Sequence, residues 1–341
     1  MTPRLGPPAP FTQSPALNRC LSSRGASPRS RSAARQNATN RRYHGSVAVS
    51  DWIEGARPKT LPAALAPVMA GTAVALHMGE ASPVRAALAA VLALALQVGV
   101  NFANDYSDGI RGADAVRSGP PRLTGGGKAS PGTVRRAAFA AFGVGSAAGL
   151  ALVALSGQWQ LLLVGVAALA AAWFYTGGSR PYGYMGLGEA FVFVFFGLVA
   201  TAGTTYTQAL SIPWQSWLAA CAVGSAACAL LMVNNIRDIP TDAAVAKNTL
   251  AVRIGDRKAR LAFAALAAMP VVTPLALIGD LGPWSALVAA PTALLAWRAV
   301  SPVLAGARGR DLIPALRTAG QAELAFGVTL LLAYAGAVYL H

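Results

Sequence analysis

Residues 85–114 read RAALAAVLALALQVGVNFANDYSDGIRGAD. From Ala86 to Ala103 no residue is charged, and from Asn101 to Asp114 three aspartates and two asparagines fall within a few turns. An uncharged apolar run of about 18 residues is long enough, as a helix, to cross the ~30 Å hydrocarbon layer of a bilayer. A second stretch, residues 214–242, repeats the design: WQSWLAACAVGSAACALLMVNNIRDIPTD is apolar for most of its length and ends in Asn234, Asn235, Arg237, Asp238 and Asp242.

Working outward from these two, apolar runs alternate with short polar connections from residue 60 to the C-terminus. Helices are expected at roughly 60–78, 85–103, 137–156, 159–176, 188–207, 214–236, 259–278, 283–304 and 319–340. Only helices satisfy their own backbone groups in lipid, so these runs read as helices despite their Gly and Val content. The fold class is therefore all-α: a polytopic membrane bundle of about nine transmembrane helices, occupying residues 47–341 with the lipid bilayer as solvent.

Composition agrees. The 341 residues are 55% hydrophobic and 12% charged, with a mean hydropathy of +0.48, whereas soluble domains carry about 25% charge. The net charge of +15 does not indicate nucleic acid: residues 1–50 hold eight arginines and no acid, and the remaining excess lies in short loops. A nucleic-acid reader would need a basic face on a soluble scaffold. Residues 1–46, rich in Pro, Ser, Arg and Gly, are expected to be a disordered tail. They fit either an organelle-type leader or a dispensable extension, and contain no secretory apolar core. The sequon at Asn37 lies in this tail. Cys20, Cys221 and Cys228 form no metal-ligand spacing, and His44, His77 and His341 are far from every polar motif.

Loop charges orient the chain. Nearly all Lys and Arg lie in the tail and in the loops 104–136, 177–187, 237–260 and 305–318, and only Arg85 borders the opposite side. By the positive-inside rule the N-terminus is cytoplasmic and the C-terminus outside, in the cell membrane. Trp159, Trp214, Trp217 and Trp284 collect near the outer boundary, as an aromatic belt does.

Both acidic clusters fall on the cytoplasmic side. If the helices continue into the loops, Asn104 and Asp108, Asn234 and Asp238, and Asp238 and Asp242 are i,i+4 pairs on one face, roughly 5–6 Å apart. Like charges at that spacing are costly unless cations accompany them. Carboxylate and amide oxygens suit Mg²⁺, which combines one or two carboxylates with substrate phosphates. With Arg111, Arg237 and Lys247 close in sequence, the clusters read as a diphosphate clamp.

Asn104-xxx-Asp108 with Asp114, and Asn234-xx-Arg237-Asp238-xxx-Asp242 with Lys247-x-Thr249-Leu250, resemble the UbiA superfamily of membrane prenyltransferases. Arg57-Pro58-Lys59-Thr60-Leu61-Pro62, Tyr175-Thr176-Gly177-Gly178 and Gly186-Leu187-Gly188-Glu189 further resemble the branch that prenylates 1,4-dihydroxy-2-naphthoate. The resemblance covers residues 50–340. It departs from the general pattern at Gly112, where the next aspartate is Asp114, which leaves open whether Asp105 or Asp114 completes the first metal site. The resemblance implies a central cavity and two Mg²⁺ ions, one held by Asn104, Asp108 and Asp105 or Asp114, the other by Asn234, Asp238 and Asp242. It also implies a polyprenyl diphosphate donor whose oxygens meet Arg111, Arg237 and Lys247, and an acceptor that is prenylated with loss of carbon dioxide to give demethylmenaquinol. Other acceptors, 4-hydroxybenzoate or homogentisate, stay open. A transporter is less well matched, because such proteins carry their charges at the bilayer midplane.

Several residues admit two readings. Arg57 and Lys59 fit either a substrate carboxylate or an orientation anchor. Tyr175 fits either the substrate or the membrane interface. Glu189 fits the dipole of the helix it opens. Gly125-Gly126-Gly127-Lys128 lacks the following Ser or Thr of a phosphate loop and is expected to be a mobile loop, a candidate lid.

Overall fold

The computed structural model describes residues 47–112 and 122–339. The tail, Asp114 and His341 lie outside the described residues. Every regular element among those described is helical. A short helix α1 (Val49–Ala56) precedes α2 (Leu61–His77), α3 (Pro83–Arg111), α4 (Pro131–Ser156), α5 (Leu161–Phe174) and α6 (Gly188–Ala209). There follow α7 (Trp214–Ala244), the short α8 (Leu250–Ile254), α9 (Asp256–Ala276), the single turn α10 (Ile278–Leu281), α11 (Ser285–Leu304) and α12 (Ile313–Tyr339).

Eight segments among the described residues are long and apolar enough to cross a membrane, and α5, with 14 residues, is a shorter ninth apolar helix. The chain is a multi-pass membrane protein. Its exposed apolar side chains, among them Leu163, Val166, Leu275 and Trp297, form the surface that hydrocarbon covers. The interior is built differently. Helices α2, α7 and α12 pack against one another, and α9 and α11 complete that half; α3 pairs with α4, and α5 lies against both. Phe326, Tyr334, Val74 and Val223 fill one core cluster, and Met232 and Phe263 another.

Lipid tails are as apolar as leucine, so helices in a membrane gain by close backbone approach at small residues. A Cβ on Gly197 would stand 2.5 Å from the Gly224 Cα, and one on Gly327 would stand 2.6 Å from the Ala66 carbonyl oxygen. Those two glycines let α6 touch α7 and α12 touch α2. Within α6, residues Phe193–Ala202 are wound as a π-helix.

Helix lengths correct the expected boundaries where it matters most. The second spanning helix runs to Arg111 instead of ending near 103, and the sixth runs to Ala244 instead of 236. At 1.5 Å per residue, 29 and 31 residues are about 43 and 46 Å long, more than the hydrocarbon requires. Both acidic clusters therefore sit on helix, in the turns beyond the apolar core, and the i,i+4 geometry holds. α1 was not expected at all.

Arg85, the cation that borders the side expected to face outward, has a structural use. Its guanidinium donates to the Leu155 carbonyl at 2.7 Å and to the Thr207 and Gln208 carbonyls at 3.1 and 3.2 Å. These are C-terminal carbonyls of α4 and α6, which have no intrahelical donor. Arg85→Ala is expected to cost about 1.5–3 kcal/mol, seen as a lower unfolding temperature in detergent with the catalytic constants of the surviving fold unchanged.

Candidate active site

The α3 cluster is buried at its helix end: Asn104, Asp105 and Asp108 are all below one-tenth exposed. A helix can keep three such residues buried only if each finds partners. Both oxygens of Asp105 accept backbone N–H groups, Oδ2 from Leu123 at 2.9 Å and Oδ1 from Thr124 at 2.8 Å. Asn104 Oδ1 accepts from the Thr176 hydroxyl at 2.7 Å. Asp108 Oδ1 accepts from the Tyr184 hydroxyl at 2.7 Å, and its Oδ2 stands 3.8 Å from Arg122.

Asp105 thus organises the segment that was expected to be a mobile loop. Residues 122–129 form a hydrogen-bonded turn: the Gly126 N–H donates to the Arg122 carbonyl at 2.8 Å and the Ala129 N–H to that of Leu123 at 2.9 Å. On its far side Lys128 pairs with Asp51 at 2.7 Å and Glu54 at 3.1 Å on α1. These two hydrogen bonds, Asp51 first, hold the Lys128 ammonium above its ordinary pKa. The Gly-rich stretch is a pinned turn, and it delivers Arg122 to Asp108.

The α7 cluster is paired likewise. Arg237 grips Asp238 through two nitrogens, at 2.8 and 2.6 Å, and donates to Asn234 Oδ1 at 2.8 Å. Lys247 lies 3.3 Å from Asp242 Oδ1. Asp242 Oδ2 is buried with no hydrogen-bond partner among the described residues. Every carboxylate that was expected to repel its neighbour has a cation beside it, so the clusters hold together as ion pairs.

The two clusters meet at Tyr184. Its hydroxyl bonds Asp108 on α3; Lys247, the partner of Asp242, sits 5.4 Å from its ring centre, and Arg111 sits 5.5 Å away. The Tyr184 carbonyl accepts from the Asn248 N–H at 3.1 Å. Residues 175–187 therefore form a bridge laid between the two acidic helix ends. Arg111 anchors that bridge by donating to the Thr176 and Gly178 carbonyls. Tyr175 is half-buried beneath it. Its phenol is held above the ordinary pKa first by its apolar surroundings, with nearby Glu189 adding to the effect.

Of the residues expected at the site, Asn104, Asp108, Arg111 and Lys247 contact this bridge, to which Tyr175 belongs; Asp242 reaches it through Lys247, and Asn234, Arg237 and Asp238 group together one to two turns earlier on α7. Asp105 adjoins them with its oxygens already engaged. Lys59 is exposed on the turn Pro58–Thr60, whose Thr60 accepts from Asn101 at 3.1 Å. Glu189 is buried and accepts from Asn235 at 3.0 Å, so its surroundings go beyond those of a helix-opening acid. Tyr184, Thr176 and Arg122 were missed as site residues. Thr176 lay inside a quoted segment; Tyr184 and Arg122 belong to no spaced pattern, and only a basic loop rich in Tyr and Gly marked the former.

Comparison with known proteins points the same way. The UbiA prenyltransferase family profile matches residues 64–315, a span that holds both acidic clusters and the bridge. The chain is 50% identical over 291 residues to the 1,4-dihydroxy-2-naphthoate octaprenyltransferase of Mycobacterium tuberculosis, covering 85% of this chain and 97% of that one. Among solved structures, the apo UbiA homolog from Aeropyrum pernix superposes with a TM-score of 0.63 at 19% identity, covering 81% of this chain and 97% of that one. A UbiA homolog from Archaeoglobus fulgidus bound to DMAPP and Mg²⁺ superposes with a TM-score of 0.56 at 16% identity, over 82% and 99%. A membrane bundle with two acidic helix ends joined over a tyrosine, matched along that whole span, belongs to the UbiA prenyltransferase family.

Proposed function

We propose that the protein transfers a polyprenyl group from polyprenyl diphosphate to 1,4-dihydroxy-2-naphthoate with loss of carbon dioxide, giving demethylmenaquinol for menaquinone biosynthesis. The observation that carries this reading is the 50% identity to a naphthoate octaprenyltransferase, sustained over 97% of that relative's length. The convergence of both acidic helix ends on the 175–187 bridge supplies the chemical means.

The donor set fits a hard divalent ion. It consists of carboxylate and amide oxygens, and one of them, Asp242 Oδ2, is buried without a hydrogen-bond donor. Among the described residues no three His, Cys, Asp or Glu side chains gather into a closed cage, so an ion would complete its shell with diphosphate oxygens, the habit of Mg²⁺. Asn104 and Asp108 on α3, and Asn234, Asp238 and Asp242 on α7, would hold Mg²⁺, which when bound neutralises the leaving diphosphate and eases ionisation of the allylic C–O bond. Asp105 is given a positioning role instead, because both its oxygens are spent on backbone amides.

Lys247, Arg237 and Arg122, each beside a carboxylate of the clusters, would exchange carboxylate partners for diphosphate oxygens. When the allylic C–O bond breaks, its electron pair leaves with the diphosphate. The bundle interior keeps water from the resulting cation. The electron-rich naphthoate ring carbon bearing the carboxylate then bonds to the prenyl carbon, and the electrons of the breaking C–CO₂ bond restore aromaticity. The arginine-rich loops put the clusters on the cytoplasmic side of the cell membrane, where both charged substrates can reach them.

Purified protein incubated with 1,4-dihydroxy-2-naphthoate, polyprenyl diphosphate and Mg²⁺ is expected to yield a decarboxylated prenyl quinol, detected by mass. Chelation of the metal is expected to stop the reaction. Turnover with 4-hydroxybenzoate but not with the naphthoate would replace the acceptor in this reading.

A further inference from the structure

Arg298 is the only charged residue between Asp280 and Arg308, and it lies within the spanning helix α11. It is exposed, and it makes no hydrogen bond, ion pair or ring contact among the described residues. Other arginines of the bundle are engaged. Arg85 meets helix-end carbonyls, and Arg260 of α9 pairs with Asp256 at 2.9 Å. Arg298 shares a face with Leu294 by i,i+4 spacing and adjoins Trp297, which are 52% and 68% exposed. This is the face that hydrocarbon covers. An unpaired cation turned toward lipid is costly, and a leucine there would avoid the cost.

The rim above it is basic. Arg260 donates to the carbonyls of Val303 and Ala307, which ties the first turn of α9 to the last turn of α11. That contact sets Arg257 and Lys258 near the end of α11, on the side of the bundle that carries the clamp. Both are exposed and have no hydrogen bond or ion pair among the described residues. Both share a face with Leu261, 57% exposed, by i,i+4 and i,i+3 spacing, so they border the lipid as well. Of the acids nearby, Asp256 is spent on Arg260, and Asp311 is outnumbered by Arg308 and Arg310.

Six residues, about 9 Å of helix, separate Arg298 from the end of α11 at Leu304. A long side chain at that depth extends along the helix toward the membrane boundary. What the bilayer offers there is the phosphate of a lipid headgroup, whose oxygens match the guanidinium fork. Water alone would serve a solitary arginine. Two further unpaired cations on the adjoining helix favour a lipid with net negative charge over a zwitterionic one. We propose that Arg298, with Arg257 and Lys258 above it, binds the phosphate of an anionic phospholipid on the lipid-facing side of the α9–α11 pair. The site is separate from the diphosphate clamp and stands whichever acceptor is prenylated.

The test titrates full-length protein in detergent with phosphatidylglycerol or phosphatidylcholine, read by native mass spectrometry and by unfolding temperature. Wild type is expected to bind phosphatidylglycerol at least about fivefold more tightly than phosphatidylcholine, less so at high salt, and to unfold at a higher temperature with it. Arg298→Gln is expected to lose about tenfold in phosphatidylglycerol affinity, to keep its phosphatidylcholine affinity, and to match wild type in unfolding temperature without added lipid. Inorganic pyrophosphate with Mg²⁺, a soluble source of the same oxygens, is expected to act equally on wild type and Arg298→Gln. Equal phosphatidylglycerol affinity in the two proteins would overturn the proposal. So would a wild type that binds both lipids alike, or a pyrophosphate effect that Arg298→Gln abolishes. Should Arg298→Gln fail to fold, the double variant Arg257→Gln with Lys258→Gln, at exposed positions, carries the same readouts.

Discussion

Asp108→Ala and Asp238→Ala are each expected to lower turnover by about a thousandfold or more, while the protein still inserts and purifies. Both side chains lie at helix ends beyond the apolar core, so the bundle does not depend on them. Their loss does more than remove a metal-ligand oxygen. Without Asp108 the Tyr184 hydroxyl loses its 2.7 Å acceptor and Arg122 its carboxylate neighbour. Without Asp238 the Arg237 guanidinium loses its two-point partner. Asp108→Asn separates the effects, since an amide oxygen can still accept from Tyr184 but carries no charge for a cation. If charge is what matters, Asp108→Asn will be nearly as inactive as alanine while matching wild type in unfolding temperature. Near-normal turnover in Asp108→Ala or Asp238→Ala, measured with saturating Mg²⁺, would remove that residue from the metal site.

Asp105→Ala should fail in a different way. It strands two buried backbone N–H groups, at Leu123 and Thr124, that now meet a carboxylate. At roughly 1–3 kcal/mol for each unsatisfied group, the expected loss is about 2–6 kcal/mol, visible as a markedly lower unfolding temperature. Activity is expected to fall as well, because the released 122–129 turn no longer holds Arg122 against Asp108. Asp105→Asn can accept only one of the two N–H groups and turns an NH₂ toward the other, so it should fall between wild type and alanine in stability. A stable but inactive Asp105→Ala protein would instead make Asp105 a metal ligand. That comparison answers what spacing left open between Asp105 and Asp114, as far as the former is concerned.

The contrast between Asp105 and Asp108 shows how far the sequence could be read. Three positions apart on one helix, they are alike in residue type, charge and distance from the apolar run. One turns both oxygens to backbone amides 18 and 19 residues away, and the other meets a tyrosine 76 residues away. The Gly125–Lys128 stretch, lacking the Ser or Thr of a phosphate loop, was read as mobile; it is held by Asp105 on one side and by α1 on the other. Glu189 was assigned to the helix dipole, a local effect, although its partner Asn235 comes from another helix. Glu323, fully buried in α12, drew no attention at all, since a single acid in an apolar run has no spacing to betray it.

The amino-acid sequence by itself determined that this chain is a multi-pass helical membrane protein, which ends of which helices carry acids, and that both ends lie on one side. Those properties follow from how each stretch partitions between water and lipid and from a helical repeat of 3.6 residues, both of which are local. Only the tertiary structure decided how far α3 and α7 run past the apolar core, which acid meets backbone amides and which meets Tyr184, that Tyr184 joins the two clusters, and that Glu189 and Glu323 are buried. A buried polar group is defined by the partner it finds, and here those partners are brought together from distant parts of the chain by packing.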